Sequence, residues 1–208
     1  YVADGHHRSA AASRVAAERK ESSSSHTGLE PYNKILVVSF PESEIQVLDY
    51  NRVVKDLNGL NVAALLDRIK GSFEVFESDL PARPEAARSV GMYVEGRWYV
   101  LRFKNVLPQD IGILDQLDVS ILMANILSPV LGIGDPQTDP RIDFVGGIRG
   151  MAELQRRVDC GDFSIAFALF PASMRQIREV ADAAEIMPSK TTWFEPKLAD
   201  GLLSLVLD

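Results

Sequence analysis

The chain of 208 residues is 46% hydrophobic and 25% charged, which is typical of a globular protein with a substantial core. Its net charge of −7 argues against non-specific nucleic-acid binding, which needs a basic surface. The longest apolar stretch, 121–133, is interrupted by polar residues and is shorter than the roughly 20 residues that cross a bilayer. The single cysteine, Cys160, excludes an intrachain disulfide, and we expect a partly buried free thiol in the cytoplasm.

The N-terminal segment predicts a strand, a turn and a helix. Residues 1–3 read as the end of a strand, and Asp4-Gly5 as the turn after it. The alanine-rich residues 7–20 predict a helix, and the serine-rich residues 21–28 predict a mobile loop. A strand and turn at the first residue, with no initiating methionine, lead us to expect that the chain is a fragment truncated at its N-terminus.

The next elements follow from short apolar patterns. The continuous apolar run 35–40 predicts a buried strand that forms a hairpin with residues 45–48. Apolar residues at helical spacing predict a helix over 62–69, which ends at Gly71. Residues 73–76 predict a further strand.

The second half of the chain alternates between strand and helix patterns. Residues 89–94 and 97–103, joined by Glu95-Gly96, predict a tight hairpin. The pattern then predicts helices at 114–127, 149–158 and 173–184 and strands at 142–145, 163–169 and 202–207. The fold class is therefore α/β or α+β, with a mixed sheet, hairpins and flanking helices.

The turn Asp4-Gly5-His6-His7-Arg8 is the main chemical candidate. It lies where a helix begins, and the unpaired N–H groups and positive dipole of a helix start favour an anion such as phosphate. Gly5 permits the turn, Arg8 and the histidines add donors, and Asp4 is suited to capping, proton transfer or metal contact. The competing interpretation is a capped helix whose polar side chains only join loops. No histidine pair has metal-ligand spacing, so the sequence predicts no metal-ligand cluster.

Two segments resemble one known family. Residues 1–12, with Ala-Asp-Gly-His-His-Arg followed by alanines, resemble a signature of the bacterial family called domain of unknown function 1015. Residues 187–198, Met-Pro-Ser-Lys-Thr-Thr-Trp-Phe-Glu-Pro-Lys-Leu, resemble its other signature. The resemblance implies that residues 1–208 are the C-terminal part of one such protein, with the end of a ParB/sulfiredoxin-like motif region at 1–28 and a mixed α/β remainder at 29–208.

The first motif is also similar to the signature of the ParB/sulfiredoxin superfamily, which binds nucleotide phosphates at such a turn. This resemblance implies an enzyme that acts on a small phosphorylated metabolite, as a phosphoserine phosphatase or a serine phosphotransferase. Its implied cofactors are a nucleotide, ADP or ATP, and a divalent ion. It implies catalytic roles for Asp4, His6 and His7, and phosphate binding by the remaining candidates, Gly5, Arg8, Arg52, Lys190, Thr192 and Lys197.

Alternatives remain open. Arg52 lies in an element that also resembles the family, and its side chain either reaches an anion or lies on the surface. Lys190 and Lys197 either bind phosphate or are solvated cations of a covering loop. The sequence leaves three functions open for the chain as a whole. It is compatible with an enzyme, with a ParB-like nucleotide-binding regulator or DNA-binding module, and with a structural protein that binds no ligand. The sequence shows no helix-turn-helix with a basic recognition helix, which disfavours the DNA-binding alternative.

Overall fold

A computed structural model describes residues 1–108, 110–199 and 201–205. The chain divides into two compact units, which we call the terminal unit (Tyr1–Gln46 with Phe194–Asp208) and the sheet unit (Val47–Trp193). The described residues contain five α-helices, a six-stranded antiparallel sheet and a two-stranded sheet, which confirms the predicted α+β class. None of the helices in these ranges is both long and apolar enough to span a bilayer.

The elements follow one another along the chain as five helices and eight strands within the described ranges. They are α1 (His6–Ser22), β1 (Gln46–Leu48), β2 (Tyr50–Val54), α2 (Val62–Ile69), β3 (Phe73–Ser78), β4 (Ser89–Val94), β5 (Arg97–Phe103), α3 (Asp118–Leu122), β6 (Ile142–Gly146), α4 (Gly150–Asp159), β7 (Ile165–Leu169), α5 (Met174–Asp182) and β8 (Trp193–Glu195). A π-helical segment, Met123–Leu127, continues α3. Strands β1 and β8 pair with each other.

The six-stranded sheet forms the centre of the sheet unit. Its strand order is β3-β5-β4-β7-β2-β6, and every adjacent pair is antiparallel. Alternate side chains of each strand face opposite sides, as the pleat requires. On β2, for example, Val54 belongs to the larger core cluster, which includes residues of α2 and α3, whereas Val53 belongs to the smaller cluster, which includes Leu154 of α4.

Several local predictions are confirmed. The hairpin of β4 and β5 has the predicted ends, and its turn residues Glu95 and Gly96 both have positive φ, as a tight hairpin turn requires. Helix α2 spans the predicted residues and is capped by Asn61, whose side chain accepts from the N–H of Ala64 at 2.9 Å. The helix predicted from residue 173 is confirmed as α5, which begins after Ser173; the side chain of Ser173 caps it and forms a capping box with Gln176.

The predicted buried strand at 35–40 is wrong. The structure assigns no strand to this segment, and its apolar side chains are exposed, Val37 by 71% and Val38 by 52%. The predicted hairpin is wrong as well, because β1 pairs with β8 instead. A buried strand requires a pairing strand and a covering layer, and within the described residues this segment has no strand partner.

Other boundaries differ from the sequence patterns. Residues 1–3 are not a strand, and neither are residues 202–205 of the predicted last strand, whereas residues 206 and 207 lie outside the described residues. The helix predicted over 114–127 begins only at Asp118, because residues 114–117 form turns. Cys160 is exposed rather than partly buried, since it lies just after the last residue of α4, at the surface.

Candidate functional site

Helix α1 begins directly after a sharp turn at Asp4 and Gly5. Gly5 has a backbone φ of +87°, in the left-handed region that other residues rarely adopt. Its carbonyl accepts the first helical hydrogen bond, from the N–H of Ser9 at 3.0 Å. Within the described part of the chain no side chain caps this helix end. The N–H groups of residues 6–8 therefore have no intrahelical acceptor, which is the arrangement that favours an anion.

Asp4 is held by two donors. The N–H of Gly5 donates to its Oδ1 at 2.7 Å, and Lys197 Nζ donates to its Oδ2 at 3.1 Å. The hydrogen bond from Lys197, together with those from the backbone and the nearby charge of Arg8, holds the pKa of the Asp4 carboxyl below its usual range despite some burial. Both side chains are about half exposed, so this ion pair lies at the surface.

Arg8 places a second cation at the same helix end. Its guanidinium lies beside Gly5: a Cβ built at Gly5 would be only 3.1 Å from Nη2 of Arg8. The first turn of α1 contains no acidic residue. Cations are disfavoured at a helix N-terminus by the helix dipole, and the carboxylate of Asp4 already binds Lys197. An anionic ligand would offset this excess of positive charge.

His6 and His7 occupy the first two positions of α1, and both side chains are exposed. Adjacent residues of a helix project about 100° apart, so the two imidazoles do not converge on one point. Across the described ranges no group of three or more His, Cys, Asp or Glu side chains is arranged to hold a metal ion.

The other predicted phosphate-binding residues, Arg52, Lys190 and Thr192, belong to the sheet unit. Lys190 is exposed, and its Nζ lies 5.5 Å from the centroid of the Tyr50 ring, whereas Thr192 is half-buried. Arg52 is only 5% exposed, donates through Nη1 to the carbonyl of Tyr50, and lies over the Phe144 ring at 5.0 Å. The surface alternative for Arg52 is therefore wrong, because β2 is an inner strand of the sheet.

The candidate residues fall into two groups. The terminal unit brings together Asp4, Gly5, Arg8 and Lys197, although Lys197 is far from the others in the sequence. In the sheet unit, Arg52 and Lys190 both contact Tyr50.

Sequence reasoning missed a carboxyl in the sheet unit. Asp118 lines a small cavity, of about 10 Å³, together with Tyr50, Leu169 and Thr191. Its Oδ1 accepts from the N–H of Arg88 at 2.9 Å, while its Oδ2 is buried without a hydrogen-bond partner. Burial raises the pKa of Asp118 to about 6. The sequence offered one signal for Asp118, an acidic residue at the start of a helix. This signal was missed because the predicted helix begins at residue 114, four residues too early.

The chain belongs to the family described as "Protein of unknown function (DUF1015)", whose sequence pattern matches residues 1–120. The match includes the turn at residues 4–8, and the second segment that resembles this family, 187–198, lies outside it. No curated protein sequence matches this chain.

Solved structures offer distant similarities. A conserved hypothetical protein from Pyrococcus furiosus is 17% identical, with 96% of this chain and 72% of that chain covered and a TM-score of 0.48. A free serine kinase in complex with AMP is 14% identical, with 76% of this chain covered and a TM-score of 0.44. A variant of that kinase with ADP is 16% identical, with 76% covered and a TM-score of 0.42. The chain spans 57% of the length of these kinase chains.

Proposed function

We propose that the protein is a cytoplasmic enzyme that binds a small phosphorylated metabolite at the start of α1, as a phosphatase or a nucleotide-linked phosphotransferase. The observation that carries this proposal is the helix start itself. N–H groups without intrahelical acceptors coincide there with two cations, Arg8 and Lys197, against the single carboxylate of Asp4, and the first turn itself has no acidic residue. This combination suits a phosphate group better than any neutral ligand.

Each residue of the helix start has a distinct role in this proposal. Gly5 allows phosphate oxygens to approach the backbone, and the Arg8 guanidinium donates to two of them. Lys197 neutralises the carboxylate of Asp4, which would otherwise repel the phosphate. Lys190, Thr192 and Arg52, in the sheet unit, remain predicted phosphate-binding residues.

Phosphoryl transfer depends mainly on positioning and charge stabilisation, with proton transfer to or from the ester oxygen. His6 and His7 are exposed, and an imidazole can both donate and accept a proton, so they suit the proton-transfer role. Asp4, with its lowered pKa, stays ionised at neutral pH and is a weak base. It is better suited to orienting a histidine, and it would supply one carboxylate if a phosphorylated substrate brought a divalent ion with it.

Phosphoserine, or serine with ADP or ATP, is the first substrate pair to test. The proposal follows the resemblance of the turn at residues 4–8 to the ParB/sulfiredoxin-like motif. AMP and ADP are the nucleotides to use as probes, since free serine kinase structures contain them. The alternative is a ParB-like regulator that binds a nucleotide at the same turn without catalysis.

The test is phosphate release from phosphoserine, measured with and without ADP and magnesium. Arg8→Met and Lys197→Met should each lower kcat/KM roughly 10- to 100-fold, because the first removes a donor to the phosphate and the second leaves the Asp4 carboxylate to repel it. Arg14→Met is the matched control: Arg14 is exposed on the same helix, beyond the first turn, and its loss should leave the rate unchanged.

The outcomes separate the candidate functions. Turnover that depends on Arg8 and Lys197, but not on Arg14, supports the enzyme. Binding of ADP that depends on Arg8, without turnover of any substrate, supports the regulator. If neither turnover nor nucleotide binding occurs, the helix start is a structural turn, and the phosphate site is abandoned.

A further inference from the structure

Arg52 is a buried cation without a carboxylate partner. Its side chain is 5% exposed, yet it forms no ion pair with any residue in the described parts of the chain. Its one hydrogen bond there is from Nη1 to the carbonyl of Tyr50. Buried arginines are ordinarily paired, since a guanidinium has five N–H donors and its charge is costly to remove from water.

Among the described residues, the surroundings of Arg52 supply no counterion. Its guanidinium lies over the ring of Phe144, which attracts a cation but accepts no conventional hydrogen bond. Burial lowers the pKa of Arg52 to about 9, as expected of a cation whose desolvation is not compensated. The other guanidinium nitrogens are not fully enclosed, because the buried polar atoms without partners in the described residues belong to Trp98 and Asp118.

The carboxyl of Asp118 does not serve as the counterion. Although Asp118 lines the cavity beside Tyr50, its carboxylate accepts from the N–H of Arg88 and forms no ion pair with Arg52. Burial raises the pKa of Asp118 to about 6, and the cation that partly opposes this rise is Arg88 rather than Arg52.

A second cation, Lys190, also contacts Tyr50. Lys190 Nζ lies 5.5 Å from the ring centroid, and no carboxylate in the described residues pairs with it. The backbone of Lys190 has a φ of +58°, a conformation that costs energy for a residue with a side chain. Trp193 packs against the same Tyr50 ring at 5.6 Å, and its indole lies so close to Gly146 that a Cβ there would be 2.5 Å from it. The position of the Tyr50 ring beside Lys190 is therefore fixed by the packing of Trp193.

We propose that Arg52 and Lys190 form an oxyanion site in the sheet unit, for a carboxylate or phosphate group of a small molecule. Arg52 supplies the planar, buried donor fork, and Lys190 supplies a point charge at the surface. The site is built from contacts within residues 47–193 alone and does not depend on the site at the start of α1.

The test is a titration with sodium acetate or sodium phosphate, at constant ionic strength set with sodium chloride. Binding is followed by the ¹H–¹⁵N resonance of the Arg52 side-chain Nε–H, and the amides of residues 6–8 report on the α1 site in the same spectra. A saturable shift of the Arg52 resonance with acetate identifies a carboxylate site, and one with phosphate alone identifies a phosphate site. If neither anion moves this resonance beyond the chloride control, the proposal is overturned, whatever happens at residues 6–8.

Two variants and a control complete the test. Lys190→Met should weaken anion binding roughly 2- to 5-fold, since an exposed cation contributes modestly. Arg52→Met should abolish binding while the protein stays folded, because an apolar side chain replaces an uncompensated charge. Arg68→Met, at an exposed arginine of α2, should leave binding unchanged. If Arg52→Met folds and binds the anions as tightly as the wild type, the site lies elsewhere and the proposal fails.

Discussion

The two units of the chain use apolar residues in opposite ways. In the sheet unit, strands β2, β4 and β7 are almost wholly buried, and apolar side chains fill a core on each face of the sheet. In the terminal unit, α1 has no buried residue at all, and the apolar run 35–40 is exposed. Hydrophobic pattern alone therefore predicts burial only where the chain also supplies strands to pair with.

The same contrast separates the two candidate sites. The cations at the start of α1 are exposed to water, so charge and helix dipole act there through a screened environment. Arg52 is largely buried in the sheet, where an unpaired charge costs more free energy and an anion would stabilise it more. A ligand at the start of α1 should therefore dissociate faster than a ligand that binds Arg52.

Replacing one apolar residue in each unit by alanine tests whether only the sheet unit buries its apolar side chains. Phe167→Ala removes a fully buried ring of β7 and should lower the free energy of unfolding by about 3–5 kcal/mol. Val37→Ala, at a side chain 71% exposed, should change it by less than about 0.5 kcal/mol. Urea denaturation measures both. Similar losses for the two variants would show that residues 35–40 are buried in solution.

A glycine of the central sheet provides the next largest effect. A Cβ at Gly91 would be 1.8 Å from the backbone carbonyl oxygen of Ala82, which cannot move without the chain. Gly91→Ala should therefore lower the free energy of unfolding by about 1–3 kcal/mol. Gly134→Ala is the control, because nothing lies within 4 Å of that position. Equal melting temperatures for the two variants would contradict the close approach of residue 82 to β4.

Asp118 should make the stability of the sheet unit depend on pH. Its folded-state pKa of about 6 exceeds the usual 3.8, so the folded protein binds this proton more tightly than the unfolded chain. The resulting stabilisation is complete below pH 3.8 and is lost as the pH rises through 6. Because asparagine does not titrate, the free energy of unfolding of Asp118→Asn minus that of the wild type should rise by on the order of 1–2 kcal/mol between pH 4 and pH 8. Urea unfolding at the two pH values measures this difference. Parallel curves for the two proteins would refute this.

The sequence predicted those elements whose signals are local. The hairpin of β4 and β5 needs a turn that accepts positive φ, and Glu95-Gly96 provides it. The start of α5 follows from one capping residue, Ser173. Strand β2 was missed because Asn51 and Arg52 interrupt its apolar pattern, although both are buried: Asn51 Oδ1 accepts from the N–H of Leu169.

The candidate site was predictable only in part. The turn at residues 4–8 is contiguous, so its residue types and spacing indicated an anion site directly. The ion pair between Asp4 and Lys197 joins residues 193 positions apart, a pairing that local patterns do not encode. The burial of Arg52 depends on β6 and β7, which flank β2 and come much later in the chain. Long-range partners of this kind follow from sheet topology and not from periodicity.

The two tryptophans of the chain can be read separately by fluorescence. Trp98 is 5% exposed beside Tyr93, and its Nε1 has no hydrogen-bond partner in the described structure. Trp193 is half-buried against Gly146 and beside Tyr50, whose ring also contacts Lys190. Trp98→Phe removes an unsatisfied donor and leaves Trp193 as the single tryptophan, so the emission intensity of Trp193 becomes a label-free signal for a ligand that binds near Tyr50.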